Sequence, residues 1–237
     1  MTVGRVAAFF DIDHTVLEVN SGSKWIGYMW RTKQMSVVQL GRSLKWLAEY
    51  RFGLLDYEAM AARVLSSYTG KHAAPLAEEI AKWFTAEVAW TICSQARVKV
   101  AEHREAGDTI VLLTSATQFL AEPVARELGI DHLLCTRIDV DELGMFPGTY
   151  QAPACYGAGK VHHAERFAEL HHIDLAASYF YSDSYSDLPM LERVGHPRVV
   201  NPDPRLRRAA RERGWTWEMW SAPRERGGRQ DVGPGAR

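Results

Sequence analysis

The apolar and polar positions divide the chain into two kinds of stretch. Short continuous apolar runs, such as Val6 to Phe10 and Thr109 to Leu113, have the pattern of strands buried on both faces. Between these runs the period is helical: Trp25, Ile26, Met29 and Trp30, then Val37, Leu40, Leu44, Leu47 and Ala48, then Tyr57 to Tyr68 and Ala74 to Trp90. From Val98 onward strands and helices alternate. Helices are predicted at Val98 to Gly107, Gln118 to Leu128, Gly159 to Leu170, Leu188 to Arg193 and Pro204 to Arg213. Strands are predicted at His132 to Cys135, Tyr179 to Ser182, Arg198 to Asn201 and Trp215 to Trp220. Arg137 to Tyr150, which contains Gly144 and Pro147, reads as a hairpin. This order predicts an α/β fold, a doubly wound parallel sheet with a helical domain inserted after the first strand. The expected core is 1–17 with 99–221, and the expected helical domain is 18–98. Residues 222–237, rich in Pro, Gly and Arg, are expected to be a disordered tail.

Composition narrows the function. A net charge of -1 gives no field that would draw nucleic acid or an anionic membrane. No apolar run approaches a membrane span, and Met1 to Arg5 leads into the first strand without a signal peptide, so the expected location is cytoplasmic. Cys93, Cys135 and Cys155 lack the spacing of a metal or redox motif and are expected as reduced core thiols. Five of the eight tryptophans fall in the inserted helices, where they read as a small core.

The candidate chemistry lies at strand ends. The first strand runs into Asp11-Ile12-Asp13-His14-Thr15. Residues two apart in an extended segment face the same side, so two carboxylates are presented together. Such a pair needs a cation between its members or a shared proton, and a hard divalent ion such as Mg2+ meets that need. The same residues also suit an acidic turn with Thr15 capping a helix. The second strand ends in Thr114-Ser115-Ala116-Thr117, where a hydroxyl and free amides before a helix suit a phosphate; capping by Ser115 or Thr117 is the alternative. Lys160, after Gly157-Ala158-Gly159, opposes the dipole of the helix it starts, which makes sense if it neutralises an anion. The segment is not a nucleotide P-loop, because Ala154 stands where the first glycine would be and Val161 follows the lysine. A second acidic pair, Asp183 and Asp187, follows Tyr179 to Ser182.

These stretches, in this order, resemble the four motifs of the haloacid dehalogenase-like (HAD) phosphohydrolases. The likeness is closest to the subfamily IB branch that contains phosphoserine phosphatase. Tyr181 to Pro189 is similar to that branch's fourth motif, and Asn201-Pro202-Asp203 with Leu206, Ala209 and Gly214-Trp215 to its C-terminal end. The resemblance runs from Arg5 to Trp220. It implies a Rossmannoid core with a C1-type helical cap that closes over the site. It implies Asp11 as the nucleophile that forms an aspartyl-phosphate, and Asp13 as the group that protonates the leaving alkoxide and later deprotonates water. It implies Thr114 or Ser115, together with Lys160, on the phosphoryl oxygens. Mg2+ would lie on Asp11, Asp183 and the backbone carbonyl of Asp13, with Asp187 near by. Asp13 itself argues for phosphate esters, because the dehalogenases lack that aspartate. His14 reads as a local packing residue, and His162-His163 and His171-His172 as solvated. The phosphoserine enzymes hold the amino acid through a Glu and an Arg of the cap. Asn20 stands near the place of that Glu, with Glu18 two residues earlier, and Arg42 and Arg51 are the candidates for the Arg. The implied partner is a small phosphomonoester; phosphoserine, histidinol phosphate and other metabolites stay open, as does the oligomeric state. The rival readings are a phospho-receiver domain, whose chain is shorter and whose acidic pair precedes the phosphorylated Asp, and an idle binding module on the same fold.

Overall fold

The computed structural model describes residues 4–51 and 57–223, the side chains of Tyr50, Arg51 and Glu58 excepted. Its strands are β1 (Ala7–Phe10), β2 (Thr109–Thr117), β3 (His132–Thr136), β4 (Tyr179–Ser182), β5 (His196–Val200) and β6 (Trp217–Glu218). They form one sheet in the order β3-β2-β1-β4-β5-β6, with every pairing parallel. The chain moves outward from β1 to β3, then returns to the other side of β1 as β4. The ends of β1, β2 and β4 therefore meet at the switch point of the sheet, where open α/β sheets leave a crevice.

Helices α5 (Ser94–Glu105), α6 (Gln118–Leu128), α7 (Ala158–His171), α8 (Leu188–Arg193) and α9 (Pro204–Glu212) cover the sheet, and α1 (Ser21–Arg31), α2 (Val37–Arg51), α3 (Tyr57–Ser66) and α4 (Ala73–Trp83) form the insert after β1. Alternate residues of β1 face opposite layers, as the two-residue period of a strand demands. Ala7 and Phe9 pack with Phe167, Met190, Leu191 and Leu206. Ala8 and Phe10 pack in a cluster that runs on into the insert through Trp25, Ile80, Trp83, Phe84 and Val88. Trp25 and Trp83 are thus core residues, their rings edge to face at 5.1 Å. Trp30 and Trp90 depart from that expectation, being 43% and 61% exposed. The three cysteines are free and buried, as expected.

Several boundaries differ from the pattern. Helix α5 begins at Ser94, four residues before the first strong apolar signal at Val98, because the buried residue of its first turn is the small Ala96. α4 ends at Trp83, and Phe84–Val88 and Ala89–Thr91 continue as separate short turns where one long helix was expected. β2 runs on to Thr117, so Thr114 to Thr117 is extended and breaks register with β3 after Leu113. The chain leaves the sheet and returns to it side by side: Leu17 pairs with Ile92, and the Cys93 and Glu18 amides donate to the Val16 and Thr91 carbonyls at 2.9 Å each. The expected hairpin is present as a narrow ladder in which Ile138 pairs with Tyr150, and its tip pairs in turn with the α3–α4 connection through His72 and Met145. Of the expected tail, residues 224–237 lie outside the described residues.

Candidate active site

β1 stops at Phe10, and its neighbours hold the next residue in line, since the Asp11 amide donates to the Tyr181 carbonyl of β4 at 2.9 Å. The chain then winds into a tight turn instead of staying extended, with the Val16 amide reaching back to the Asp11 carbonyl. His14 takes φ 54 within that turn, a left-handed conformation that costs an L-residue about 1 kcal/mol or more. Two anchors hold it: the His14 carbonyl accepts from Asn201 Nδ2 at 2.9 Å, and its amide donates to the Val19 carbonyl. The turn, not a strand pleat, aims the two carboxylates. Asp11 is buried. Asp13 points toward the insert, where the Ser21 amide and Asn20 Nδ2 donate to its two oxygens at 2.7 and 3.0 Å. Asn20 also caps α1, its Oδ1 accepting from the Ser23 amide.

Lys160 is buried on the first turn of α7, with Nζ 3.0 Å from Asp11 Oδ1 and 2.6 Å from Asp187 Oδ2. Asp187 Oδ2 also accepts from Ser182 Oγ at 2.6 Å. The lysine that opposes its helix dipole therefore sits between two anions. Gly159 lets the loop before it close, since a Cβ there would lie 1.9 Å from the Ala154 carbonyl oxygen. Burial alone would lower the Lys160 pKa; Asp11 and Asp187 outweigh it and hold the ammonium above its ordinary range. Burial pushes the Asp11 carboxyl up to about 7, against the pull of Lys160 and with a further push from Asp187. Burial, then the charges of Asp11 and Asp187, raise Asp183 well above the usual carboxylate range. Asp13 is also raised by burial, with the Ser21 amide opposing.

Thr114 is buried, and its Oγ1 accepts from the Ala116 amide at 3.2 Å. Thr117 holds the N-cap position of α6, yet its side chain makes no capping bond, so capping does not account for this polar stretch. The Ser115 carbonyl accepts from the Tyr57 hydroxyl of the insert at 2.5 Å, and the Tyr57 ring stacks on Tyr156 at 5.1 Å. Thr15 Oγ1 lies 3.5 Å from Asp183 Oδ1, which ties the first acidic pair to the second.

Four carboxylates thus face one ammonium, and burial raises the pKa values of Asp11, Asp13 and Asp183, with neighbouring carboxylates adding to the rise at Asp11 and Asp183. Among the described residues no three His, Cys, Asp or Glu side chains gather as a ready ligand set. The reason is visible: Asp187 is taken up by Lys160 and Ser182, and the Asp13 side chain by Asn20 and Ser21. Asp11, which meets Lys160 through Oδ1, stands with Asp183 and backbone carbonyl oxygen as the oxygen set nearest the strand ends. That set suits Mg2+, which keeps several waters and uses one or two carboxylates. Asp187, expected near the metal, holds Lys160 and Ser182, and the Asp13 side chain holds Asn20 and Ser21.

Other expected residues are spread around this centre. His14 is exposed on the rim of a cavity, not packed. His162 and His172 are exposed, whereas His163 Nε2 lies 2.8 Å from the Pro153 carbonyl oxygen and the His171 ring stacks on Phe167. Glu18 accepts from the Ala222 amide and lines neither cavity described below. The Arg51 side chain lies outside the described residues. Sequence reasoning missed the role of Asn20 toward Asp13, the Ser182–Asp187 bond and the Tyr57 contact. Only Ser182, inside the fourth motif, carried any signal.

Residues 8–192 match the family of haloacid dehalogenase-like hydrolases, and the chain belongs to that family. It is 31% identical over 222 residues to a histidinol-phosphatase of Neisseria meningitidis, covering 88% of this chain and 96% of the relative. It is 33% identical to a phosphoserine phosphatase of Mycobacterium tuberculosis, over 88% of this chain and 69% of the relative. A solved structure from Bordetella pertussis, described as a protein of unknown function, superimposes with a TM-score of 0.82 at 30% identity, covering 91% of this chain and 99% of the other. Within the family the chain stands in the phosphoserine phosphatase-like branch, and it is a phosphatase, a hydrolase of phosphoric monoesters.

Proposed function

We propose that the chain hydrolyses a small phosphorylated metabolite with Mg2+ through an aspartyl-phosphate on Asp11. The observation that carries this is the buried run Asp11–Lys160–Asp187 at the ends of β1 and β4, with Asp13 bonded across to the insert. In the first step a carboxylate oxygen of Asp11 bonds to phosphorus while the ester oxygen leaves and takes a proton from Asp13. In the second, Asp13 removes a proton from water, whose oxygen bonds to phosphorus and releases Asp11 and phosphate. Lys160 and the Thr114 hydroxyl, with Ser115 beside them, balance charge on the phosphoryl oxygens. Asp11, Asp183 and the Asp13 carbonyl would hold Mg2+, which supplies positive charge to the phosphoryl group and offsets that of the nucleophile.

We also place the joint between insert and sheet at the Leu17–Ile92 pairing. The expected break at 98–99 would fall inside α5, and a helix turns as one body. Phosphoserine and histidinol phosphate, the substrates named by the two relatives, are the first metabolites to assay. The deciding experiment is hydrolysis of p-nitrophenyl phosphate. Activity should need Mg2+, vanish in EDTA and return only weakly with Ca2+, which prefers more ligands at longer distance. Full activity in EDTA would overturn the metal assignment, and no activity with Mg2+ on any phosphomonoester would overturn the whole reading.

A further inference from the structure

Two cavities flank the reacting centre, and they differ in chemistry. One, of about 540 Å³, is lined by Asp183, Ser184, Asp203 and Arg205 and carries His14 on its rim. The other, of about 470 Å³, lies between the insert and the sheet and has Asp13 and Ser115 at its inner end. If Asp13 protonates the leaving oxygen, the leaving group must extend from Asp13, and so into this second cavity. That step rests on the function proposed above.

The walls of the second cavity say what would fit. Trp25, Trp46, Tyr57, Tyr68, Phe119 and Phe146 give it broad apolar faces. An amino alcohol would leave most of such a volume to water, whereas an aromatic-sized body would displace it. Its charges are one-sided. Arg42, Arg63 and Lys71 line it and are exposed, so they stand at its mouth. None of the three takes part in an ion pair among the described residues. Asp13 is the one acid among the described lining residues, and it lies at the opposite end. Glu79 sits behind the wall on Gln34 and does not line the cavity among the described residues, so a cationic leaving group would meet like charge from Arg42, Arg63 and Lys71 at the mouth. We propose that this cavity receives a leaving group with an apolar, aromatic-sized body whose far end is an anion such as a carboxylate, and that it disfavours an ammonium at that end.

Matched inhibitors separate this inference from the phosphatase reading. Benzylphosphonate cannot be hydrolysed and carries the phosphoryl mimic; para-carboxyethyl, para-ethyl and para-aminoethyl derivatives differ only in the far charge. Their binding is measured by calorimetry with Mg2+ at low salt. The carboxyethyl compound should bind about tenfold tighter than the ethyl one, with the aminoethyl compound weakest, and the gap should narrow with added salt. In Arg42→Ala/Arg63→Ala the carboxylate's advantage should disappear, and in Arg42→Lys/Arg63→Lys most of it should survive. The inference falls if the aminoethyl compound binds as tightly as the carboxyethyl one, or if none binds better than methylphosphonate. Hydrolysis of p-nitrophenyl phosphate is scored separately. Turnover with an inverted binding order removes this inference and keeps the phosphatase, while absence of turnover on any phosphomonoester removes both.

Discussion

The strand-end centre and the mouth of the insert treat charge in opposite ways. At the strand ends Asp11, Lys160 and Asp187 are buried and bonded to one another. At the mouth Arg42, Arg63 and Lys71 stand in water and are in no ion pair among the described residues. Removing one partner of a buried set leaves an uncompensated charge in a poorly solvated place, whereas removing an exposed cation leaves little behind. The common chemistry is therefore built from residues that are costly to change. Discrimination between leaving groups rests on residues that can vary at little cost to the fold.

The sharpest way to break this comparison is Asp11→Asn. The variant should remain folded by circular dichroism and lose at least about a thousandfold in kcat on p-nitrophenyl phosphate, since the nucleophile is gone. Retention of more than a few per cent of the wild-type rate would remove Asp11 from that role. Lys160→Met tests the energetic half. Two carboxylates would face each other without the ammonium, and urea unfolding in EDTA should show a loss of about 3–5 kcal/mol, against less than about 0.5 kcal/mol for Arg63→Ala. Comparable losses at the two positions would erase the contrast.

Tyr57 joins the two regions and gives a pH-dependent test. Burial holds its hydroxyl at about 12, above the ordinary 10.0. A raised folded pKa means its contribution is complete below pH 10 and is lost as pH rises through about 12. Wild-type stability should fall across that window by about 2–3 kcal/mol more than that of Tyr57→Phe. Parallel alkaline limbs for the two proteins would mean that the phenol is not held as described. A smaller effect than at Lys160 or Tyr57 is expected for Asn20→Ala, which removes the cap of α1 and one donor to Asp13, at about 1 kcal/mol. Its rate loss should be larger for an alkyl phosphate than for p-nitrophenyl phosphate, because a nitrophenolate leaves without needing a proton. Equal losses would separate Asn20 from Asp13.

The sequence made the strand ends legible because their signals are local. A buried apolar run followed by Asp11 and Asp13 places two acids at the end of a strand, and a lysine in a first helical turn asks for an anion. What was hidden depends on distant partners. Lys160 and Asp187 are 27 residues apart, and Tyr57 reaches Ser115 across 58. Asn20 is close to Asp13 in sequence, yet their contact depends on the left-handed turn at His14, which no hydrophobic period reports. The start of α5 was missed for a different reason, since Ala96 is wholly buried but small enough to leave the apolar pattern unmarked.

The hairpin between β3 and α7 carries one more consequence. Its tip is laced to the α3–α4 connection by three backbone hydrogen bonds of 2.9 Å: Gly70 to Phe146, Phe146 to Lys71 and Ala73 to Gly144, each amide to the next carbonyl. A flap joined to its frame along one edge swings about that edge. This insert is riveted at a second edge as well, so a swing about the Leu17–Ile92 edge would have to shear the rivets. The Gly70, Ala73 and Phe146 amides should then exchange with solvent as slowly as those of a sheet.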